Sequence, residues 1–313
     1  RLFHATFRGE EGMDWGGLYR ETLARAVSDL FAPYFNLNKP CPNRVSGQVD
    51  NADRYLPSST SPAALDQYEF VGKLMGIALR TKNYLEFQYA PIVWKVLVGE
   101  ALEWEDFESF DASSCHVLRE LVALCETGAL DSGGGEEEEK EEGDELIQEI
   151  LDELSWSAAT SDGTEVDVRS GLAKDHHGHH GQHGQHGHHE RDLQEKWDVD
   201  KIVRYCKGNV KCRLLESQAA LRAMSEGLRS VVPACALGIF SWYELELRVC
   251  GRAEIDVDLL KRNTEYDDDV SENEPSIVWL WEVLEEFDHQ QRCDFLRFVW
   301  ARAHLPPTVA EFR

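Results

Sequence analysis

The sequence has few basic residues and no long apolar run. It carries 32 Lys and Arg residues against 58 Asp and Glu residues in a chain of 313, which gives a formal net charge of −26. Such a surface repels phosphate backbones, so the composition argues against nucleic acid as a partner. No stretch reaches the roughly 18 consecutive apolar residues of a membrane-spanning helix, and the opening RLFHATF lacks the apolar core of a signal peptide.

Disulfide and zinc patterns are also missing. None of the eight cysteines lies in a C-x-x-C pair, and most are surrounded by apolar, helix-like sequence. This usage is typical of reduced, buried thiols in an intracellular protein rather than of a disulfide framework. We therefore expect a protein of the cytoplasm, the nucleus or both, with no cofactor and no metal site.

The apolar residues that are present, 42% of the chain, predict a large core built mainly of helices. Helical periodicity is strongest from Leu65 to Ile77, where Gly72 and Gly76 lie four residues apart and predict close packing of another element on that face. A Ser-Asp-Gly turn at 161–163 predicts one β-hairpin within 154–168. The predicted fold class is thus mainly α, with a small α+β part.

The stretch from residue 240 to residue 306 is the most informative. Two helical patterns, in FSWYELELRVCG and in IVWLWEVLEEF, are separated by the polar, acidic residues 263–274. A charged connector between two apolar patterns predicts a hinge between two packed bodies. The residues predicted to form the hinge are Glu265, Tyr266, Asp267, Asp268 and Asp269.

This stretch resembles a known family. The ordered motifs ELEL, CG, IDV, TEY, WEVL, FLRFVW and LPP are similar to the lobe junction of HECT-type ubiquitin ligases, and most similar to the HERC-like members. The early FRGEEGMDWGGLYRE is similar to the opening of the HECT amino-terminal lobe. The connector departs from the family, because Asp267 to Asp269 stand where many relatives have glycines, which predicts a stiffer or more extended hinge.

The resemblance implies a bilobal HECT domain. The amino-terminal lobe would span 1–262 and include a small conjugating-enzyme-binding subdomain at about 112–206. The hinge would span 263–274, and 275–313 would be part of the carboxy-terminal lobe.

The resemblance also implies an activity, in which ubiquitin passes from a conjugating enzyme to a cysteine of the ligase and then to a substrate lysine. In the family that cysteine lies in a Thr-Cys-Phe context, which none of the eight cysteines here has. We therefore expect no catalytic residue in this chain and a nucleophile beyond Arg313. The expected partners are a ubiquitin-conjugating enzyme, ubiquitin, and protein substrates held by domains upstream of Arg1. The alternative is a non-catalytic module that binds a conjugating enzyme or ubiquitin.

By position, the resemblance assigns binding of the conjugating enzyme to residues of the small subdomain. The apolar i, i+3, i+6 stripe among them fits either an exposed groove or an internal packing face, and the tyrosine fits either a contact or interior packing. The asparagine departs from an aromatic residue of the family. The predicted binding residues are Leu118, Leu121, Leu124, Tyr205 and Asn209.

Two low-complexity segments interrupt the matched pattern. The first, at 133–145, has eight acidic residues and one Lys, and the second, at 176–189, has eight of the twelve histidines. Both lack the apolar residues that would offset the entropy of ordering, so they are predicted to be solvated insertions. The histidines could bind Zn²⁺ or Ni²⁺ by density alone, but their glycine neighbours fix no geometry, which makes a metal-buffering role the weakest alternative.

Overall fold

The computed structural model describes residues 6, 17–58, 61–126, 154–172, 197–267 and 269–312. The predicted acidic and histidine-rich insertions at 133–145 and 176–189, and Asp268 of the predicted hinge, lie outside these residues. No described helix is long and apolar enough to cross a membrane.

The described chain is mainly helical, which confirms the predicted fold class. The helices are α1 (Gly17–Leu30), α2 (Pro42–Ser46), α3 (Pro62–Thr81), α4 (Pro91–Val98), α5 (Trp104–Phe110), α6 (Ala112–Glu126), α7 (Arg169–Leu172), α8 (Val199–Leu215), α9 (Gln218–Val231), α10 (Ala234–Leu237), α11 (Trp242–Cys250), α12 (Val257–Arg262), α13 (Pro275–Glu286) and α14 (His289–Trp300). The strands are β1 (Asn38–Pro40), β2 (Tyr55–Pro57), β3 (Ser157–Ala159) and β4 (Glu165–Asp167), and β1 pairs with β2 and β3 with β4.

The chain divides into two compact units. Unit 1 comprises Arg1–Lys39, Tyr55–Ala101 and Ala219–Arg313, and unit 2 comprises Pro40–Arg54 and Leu102–Gln218. Unit 2 is therefore wider than the small subdomain expected at about 112–206, because residues 40–54 and helix α5 pack with it.

Glycines allow a close crossing of α3 and α9 in unit 1. A Cβ atom built on Gly72 would lie 1.9 Å from the carbonyl oxygen of Met224, and one built on Gly227 would lie 1.9 Å from that of Glu69. A Cβ on Gly76 would lie 2.7 Å from Cβ of Val231. The predicted role of Gly72 and Gly76 in close packing is confirmed.

The last part of the chain belongs to unit 1. Two apolar clusters join α13 and α14 to the segment that precedes the acidic connector, and half-buried Leu260 of α12 packs against both. The clusters consist of Ile255, Cys293, Leu296 and Leu305, and of Val257, Trp281 and Leu284.

These clusters lie on both sides of the predicted hinge, and the expected lobe boundary at 263–274 stays a prediction. The apolar side chains of residues 255–260 pack on α13 and α14, so residues 263–274 form a loop within one unit. Glu265, Asp267 and Asp269 are exposed, whereas the hydroxyl of half-buried Tyr266 accepts a 2.9 Å hydrogen bond from Nε1 of Trp281. Hinge motion about this loop stays a prediction.

His304 is expected to make the stability of unit 1 depend on pH. Its imidazole is buried, and Nδ1 lies 2.7 Å from the carbonyl oxygen of Cys250. Burial lowers the pKa of His304; nearby Glu86 opposes this shift, whereas Arg297 adds to it. Below about pH 6.5, where an unfolded histidine takes up a proton, the folded state still resists protonation. The free energy of unfolding should therefore be fully retained above about pH 6.5 and should fall as the pH drops below it.

Urea unfolding between pH 8 and pH 5 measures this effect, and the same titration of the His304→Gln protein serves as the control. The difference in unfolding free energy between the two proteins should shrink as the pH falls. A difference in unfolding free energy that stays constant with pH would contradict the assignment of the pH dependence to His304.

In unit 2, β3 and β4 form an antiparallel hairpin whose turn contains Gly163 with φ of +80°. The predicted hairpin is thereby confirmed. The register pairs are Ser157 with Asp167, Ala158 with Val166 and Ala159 with Glu165. Fully buried Asn43 fixes residues 40–54 on this unit, because its Nδ2 donates to the carbonyl oxygens of Asp50 and Ser109, and its Oδ1 accepts from the amide of Ala112.

Candidate functional site

The predicted leucine stripe on α6 is mostly internal. Leu118 and Leu121 are 3% and 6% exposed, whereas Leu124 is half-buried and Val117 is exposed. An i, i+3 step on an α-helix falls short of a full turn by about 60°, so the stripe rotates from the core toward solvent. The α6 edge, which we define as Val117 and Leu124, is therefore the part of this pattern that a partner can reach.

Tyr205 and Asn209 on α8 are both buried and contact each other. The Nδ2 atom of Asn209 donates to the hydroxyl of Tyr205 at 3.4 Å, and this hydroxyl donates to the carbonyl oxygen of Ser157 in β3 at 3.4 Å. Burial raises the pKa of Tyr205, so the hydroxyl remains a donor at neutral pH. Asn209, which stands where the family has an aromatic residue, thus supports Tyr205 by a hydrogen bond.

Two tryptophans that the sequence reasoning missed complete an aromatic cluster with Tyr205. The rings of Trp156 and Trp197 lie 5.1 Å apart, and their centroids lie 6.4 and 5.8 Å from that of Tyr205. Both tryptophans are half-buried, and the guanidinium of Arg169 lies 5.9 Å from the ring centroid of Trp156. Nε1 of Trp197 donates to the carbonyl oxygen of Leu154 at 3.2 Å. We call Trp156, Trp197 and Tyr205 the aromatic cluster.

A buried ion network lies in the same unit. Nη2 of Arg213 donates to Asp111, and Nη1 donates to Glu216 at 2.8 Å. The three side chains are between 3% and 7% exposed, and the guanidinium lies 5.7 and 5.9 Å from the ring centroids of Phe107 and Phe110. We call Asp111, Arg213 and Glu216 the Arg213 network.

Most of the cysteines are in surroundings that favour the neutral thiol. Burial raises the pKa of Cys41 to about 12 and that of Cys206 to about 11, and it also raises the pKa of Cys115 and of Cys293. Cys250 is buried as well. A transfer nucleophile must be reachable and must ionise near neutral pH, so these five are poorly suited to that role.

The other three cysteines are more accessible. Cys125 and Cys212 are half-buried, and Cys235 is exposed on α10. Cys235 lies in the sequence PACAL, which supplies no neighbouring Lys, Arg or His to stabilise a thiolate. Among the described residues, no group of three or more His, Cys, Asp or Glu side chains is arranged to hold a metal ion.

The profile of the family described as HECT-domain (ubiquitin-transferase) matches residues 22–312. The chain belongs to the HECT family. This result confirms the resemblance seen in the motifs of residues 240–306.

Several E3 ubiquitin-protein ligases are similar to this HECT domain. Human HERC2 is 30% identical over 315 residues, which cover all of this chain and 6% of HERC2. RSP5 of Saccharomyces cerevisiae is 23% identical over 302 residues, which cover 96% of this chain and 32% of RSP5. Human HECTD4, a probable E3 ubiquitin-protein ligase, is 26% identical over 314 residues, which cover 98% of this chain and 7% of HECTD4. The HECT domain described here thus spans a small part of HERC2 and about a third of RSP5.

Proposed function

We propose that this HECT domain serves a ubiquitin ligase, and that unit 2 binds the ubiquitin-conjugating enzyme through the α6 edge and the aromatic cluster. The observation that carries the proposal is the aromatic cluster, because two half-buried tryptophans pack beside Tyr205, one of the residues that the family resemblance assigns to this contact. Aromatic side chains held by their neighbours supply large contact area at small entropic cost, and they are common anchors of protein interfaces.

The chemistry of the proposed ligase consists of two acyl transfers. A thiolate of the ligase attacks the ubiquitin thioester on the conjugating enzyme, whose cysteine leaves as a thiolate. The amine of a substrate lysine then attacks the new thioester, and the ligase cysteine is the leaving group. Unit 2 would hold the donor while a cysteine other than the eight of this chain, further along the whole protein, performs both steps. Ubiquitin and substrates bound by other domains would be the remaining partners, inside the cell, where thiols stay reduced.

Binding of the conjugating enzyme should depend on the aromatic cluster. The Trp156→Ala change is expected to weaken binding about tenfold or more, because truncation of a central aromatic contact typically costs about 1–3 kcal/mol. Leu124→Ala should weaken it less. Isothermal titration against a panel of conjugating enzymes measures both effects.

The matched control is Tyr34→Ala, which removes an exposed aromatic side chain of unit 1. Leu121→Ala and Tyr205→Ala are less informative, because both side chains are buried and their loss also disturbs packing. Unchanged affinity of the folded Trp156→Ala protein would remove the aromatic cluster from the interface.

The chain itself is expected to form no ubiquitin thioester. The assay mixes it with ubiquitin, activating enzyme and a charged conjugating enzyme, and a non-reducing gel detects any thiol-sensitive adduct. The reason is that five cysteines are buried and two are half-buried, and that the sequence PACAL around exposed Cys235 contains no Lys, Arg or His. An adduct that disappears when one of the eight cysteines is changed to serine would identify a nucleophile and refute this expectation.

The second candidate function is a binding module that holds a conjugating enzyme or ubiquitin without transfer. The burial of most of the thiols is as consistent with this binding module as it is with a ligase whose nucleophile lies outside this chain. An assay of the whole protein distinguishes the two functions. Only a ligase loses ubiquitin transfer when a cysteine outside these 313 residues is replaced.

A further inference from the structure

The β3–β4 hairpin lies along helix α8 and contacts it at its base and at its turn. At the base of the hairpin, Ser157 accepts the hydrogen bond of Tyr205. Also at the base, just after the end of β4, Gly208 leaves room for the carbonyl oxygen of Val168, which would lie 2.7 Å from a Cβ at that position. At the turn, Ser161 contacts Glu216, just after the last residue of α8. Since α-helices rise about 1.5 Å per residue, these contacts extend over about 16 Å of the helix axis.

The contact at the turn is made by one carboxylate. Oε2 of Glu216 accepts a 3.0 Å hydrogen bond from the amide of Ser161, and Oε1 accepts a 2.5 Å hydrogen bond from its hydroxyl. Oε2 also accepts the 2.8 Å hydrogen bond from Nη1 of Arg213. Hydrogen bonds to an ionised acceptor are about twice as strong as neutral ones, so this carboxylate holds the turn firmly.

The same network continues to helix α6. Asp111 precedes the first residue of α6, where its Oδ1 accepts a 3.1 Å hydrogen bond from the amide of Ser114 and its Oδ2 accepts from Arg213. The Arg213 network thus connects the start of α6 to the turn of the hairpin. These two elements carry the α6 edge and, at the base of the hairpin, Trp156 of the aromatic cluster.

We propose that Glu216 is a positioning residue: it fixes the hairpin against α6 and thereby sets the spacing between the α6 edge and the aromatic cluster. This inference rests on the proposed function, because the spacing matters only if one partner contacts both surfaces. The conjugating enzymes accepted by unit 2 are those whose two apolar contacts match this spacing. Glu216 acts through Trp156 and makes no contact with the partner.

The experiment compares Glu216→Gln, which removes the charge, with Ser161→Ala, which removes the hydroxyl donor and leaves the Arg213 network in place. Glu165→Gln is the matched control, because it makes the same change at an exposed position of β4. Each protein is titrated with the tightest-binding conjugating enzyme of the panel. Both test variants are expected to bind about fivefold more weakly, the range of one or two lost hydrogen bonds, and the control is expected to bind normally.

Two further measurements separate positioning from general stability. The near-ultraviolet circular dichroism of the closely packed Trp156–Trp197 pair, taken as the difference from a Trp156→Phe protein, should change in both test variants. In a Trp156→Ala background, Glu216→Gln should have no further effect on affinity, because coupled residues are not additive. Effects that add fully, or an unchanged spectrum and affinity in the folded variants, would overturn the proposal.

Failure of the proposed function gives a different result. If the unaltered chain binds no conjugating enzyme of the panel, the proposed function fails. The spectrum then still tests whether Glu216 positions the hairpin: a change supports that part, and no change overturns it.

Discussion

The Gly72→Ala protein is expected to be less stable than the unaltered chain by about 3 kcal/mol, the upper end of the cost of overpacking. The added methyl group would lie 1.9 Å from the carbonyl oxygen of Met224. The clash is with backbone of another helix, so no side-chain rotation relieves it, and α3 and α9 must move apart. Separation would also loosen the contact of Gly227 with Glu69, because both glycines serve the same crossing.

Thermal and urea unfolding measure this loss. Gly17→Ala is the matched control, because a Cβ atom on Gly17 has no neighbour within 4 Å and the residue begins helix α1. That change is expected to be neutral or slightly stabilising, since alanine favours the helix over glycine. If Gly72→Ala unfolds at the same urea concentration as Gly17→Ala, the close crossing is wrong.

The Arg213→Ala change should destabilise unit 2 by about 3–5 kcal/mol, the usual cost of removing one partner from a buried ion pair. It leaves the carboxylates of Asp111 and Glu216 buried without their cation, and both are only 7% exposed. It also removes the guanidinium from the faces of Phe107 and Phe110. The support of the hairpin turn is weakened as well, because Glu216 loses the hydrogen bond from Nη1 of Arg213.

The control is Arg119→Ala, which breaks a 2.6 Å ion pair with Glu108 on the surface of the same unit. Exposed ion pairs contribute about 0–1 kcal/mol, so this change should hardly alter the free energy of unfolding. Amide hydrogen exchange, measured separately for each unit, shows which unit loses stability. Equal destabilisation by the two substitutions would show that the Arg213 network is no stronger than a surface pair.

The sequence predicted the parts of the fold that depend on local pattern. Apolar residues at helical spacing gave the helices α3 and α6, although they left open whether the leucines of α6 are core or groove, and Gly163 in its turn gave the β3–β4 hairpin. The pair Gly72 and Gly76 indicated a close helix contact, because small residues four apart form a flat face. These signals are local: each is complete within about twenty residues of chain.

The candidate site was predicted only in part, because its contacts are far apart in sequence. Tyr205 was found from the family motif, but Trp156 and Trp197 are separated by a long insertion, and nothing local shows that their rings are in contact. The Arg213 network was missed for the same reason, since Asp111 and Arg213 look like surface charges until the fold buries them.

The packing of 275–313 on residues 255–260 also escaped the sequence reasoning. The sequence places a lobe boundary at the acidic connector between them, because a run of charges is usually exposed. Most of the described residues of the connector are exposed, and the apolar faces on either side of it pack with each other. Charge in a linking segment reports its solvation, and the lobe boundary at this connector stays a prediction.

The distribution of the thiols makes this protein suitable for fluorescence spectroscopy. All eight cysteines are described, and Cys235 is the exposed one, whereas five are buried and two half-buried. A maleimide dye under brief, mild labelling should therefore react first at Cys235 and mark unit 1 without mutagenesis. Tryptophans occur in both units, so the dye at Cys235, and not the intrinsic emission, is the optical reporter specific to unit 1.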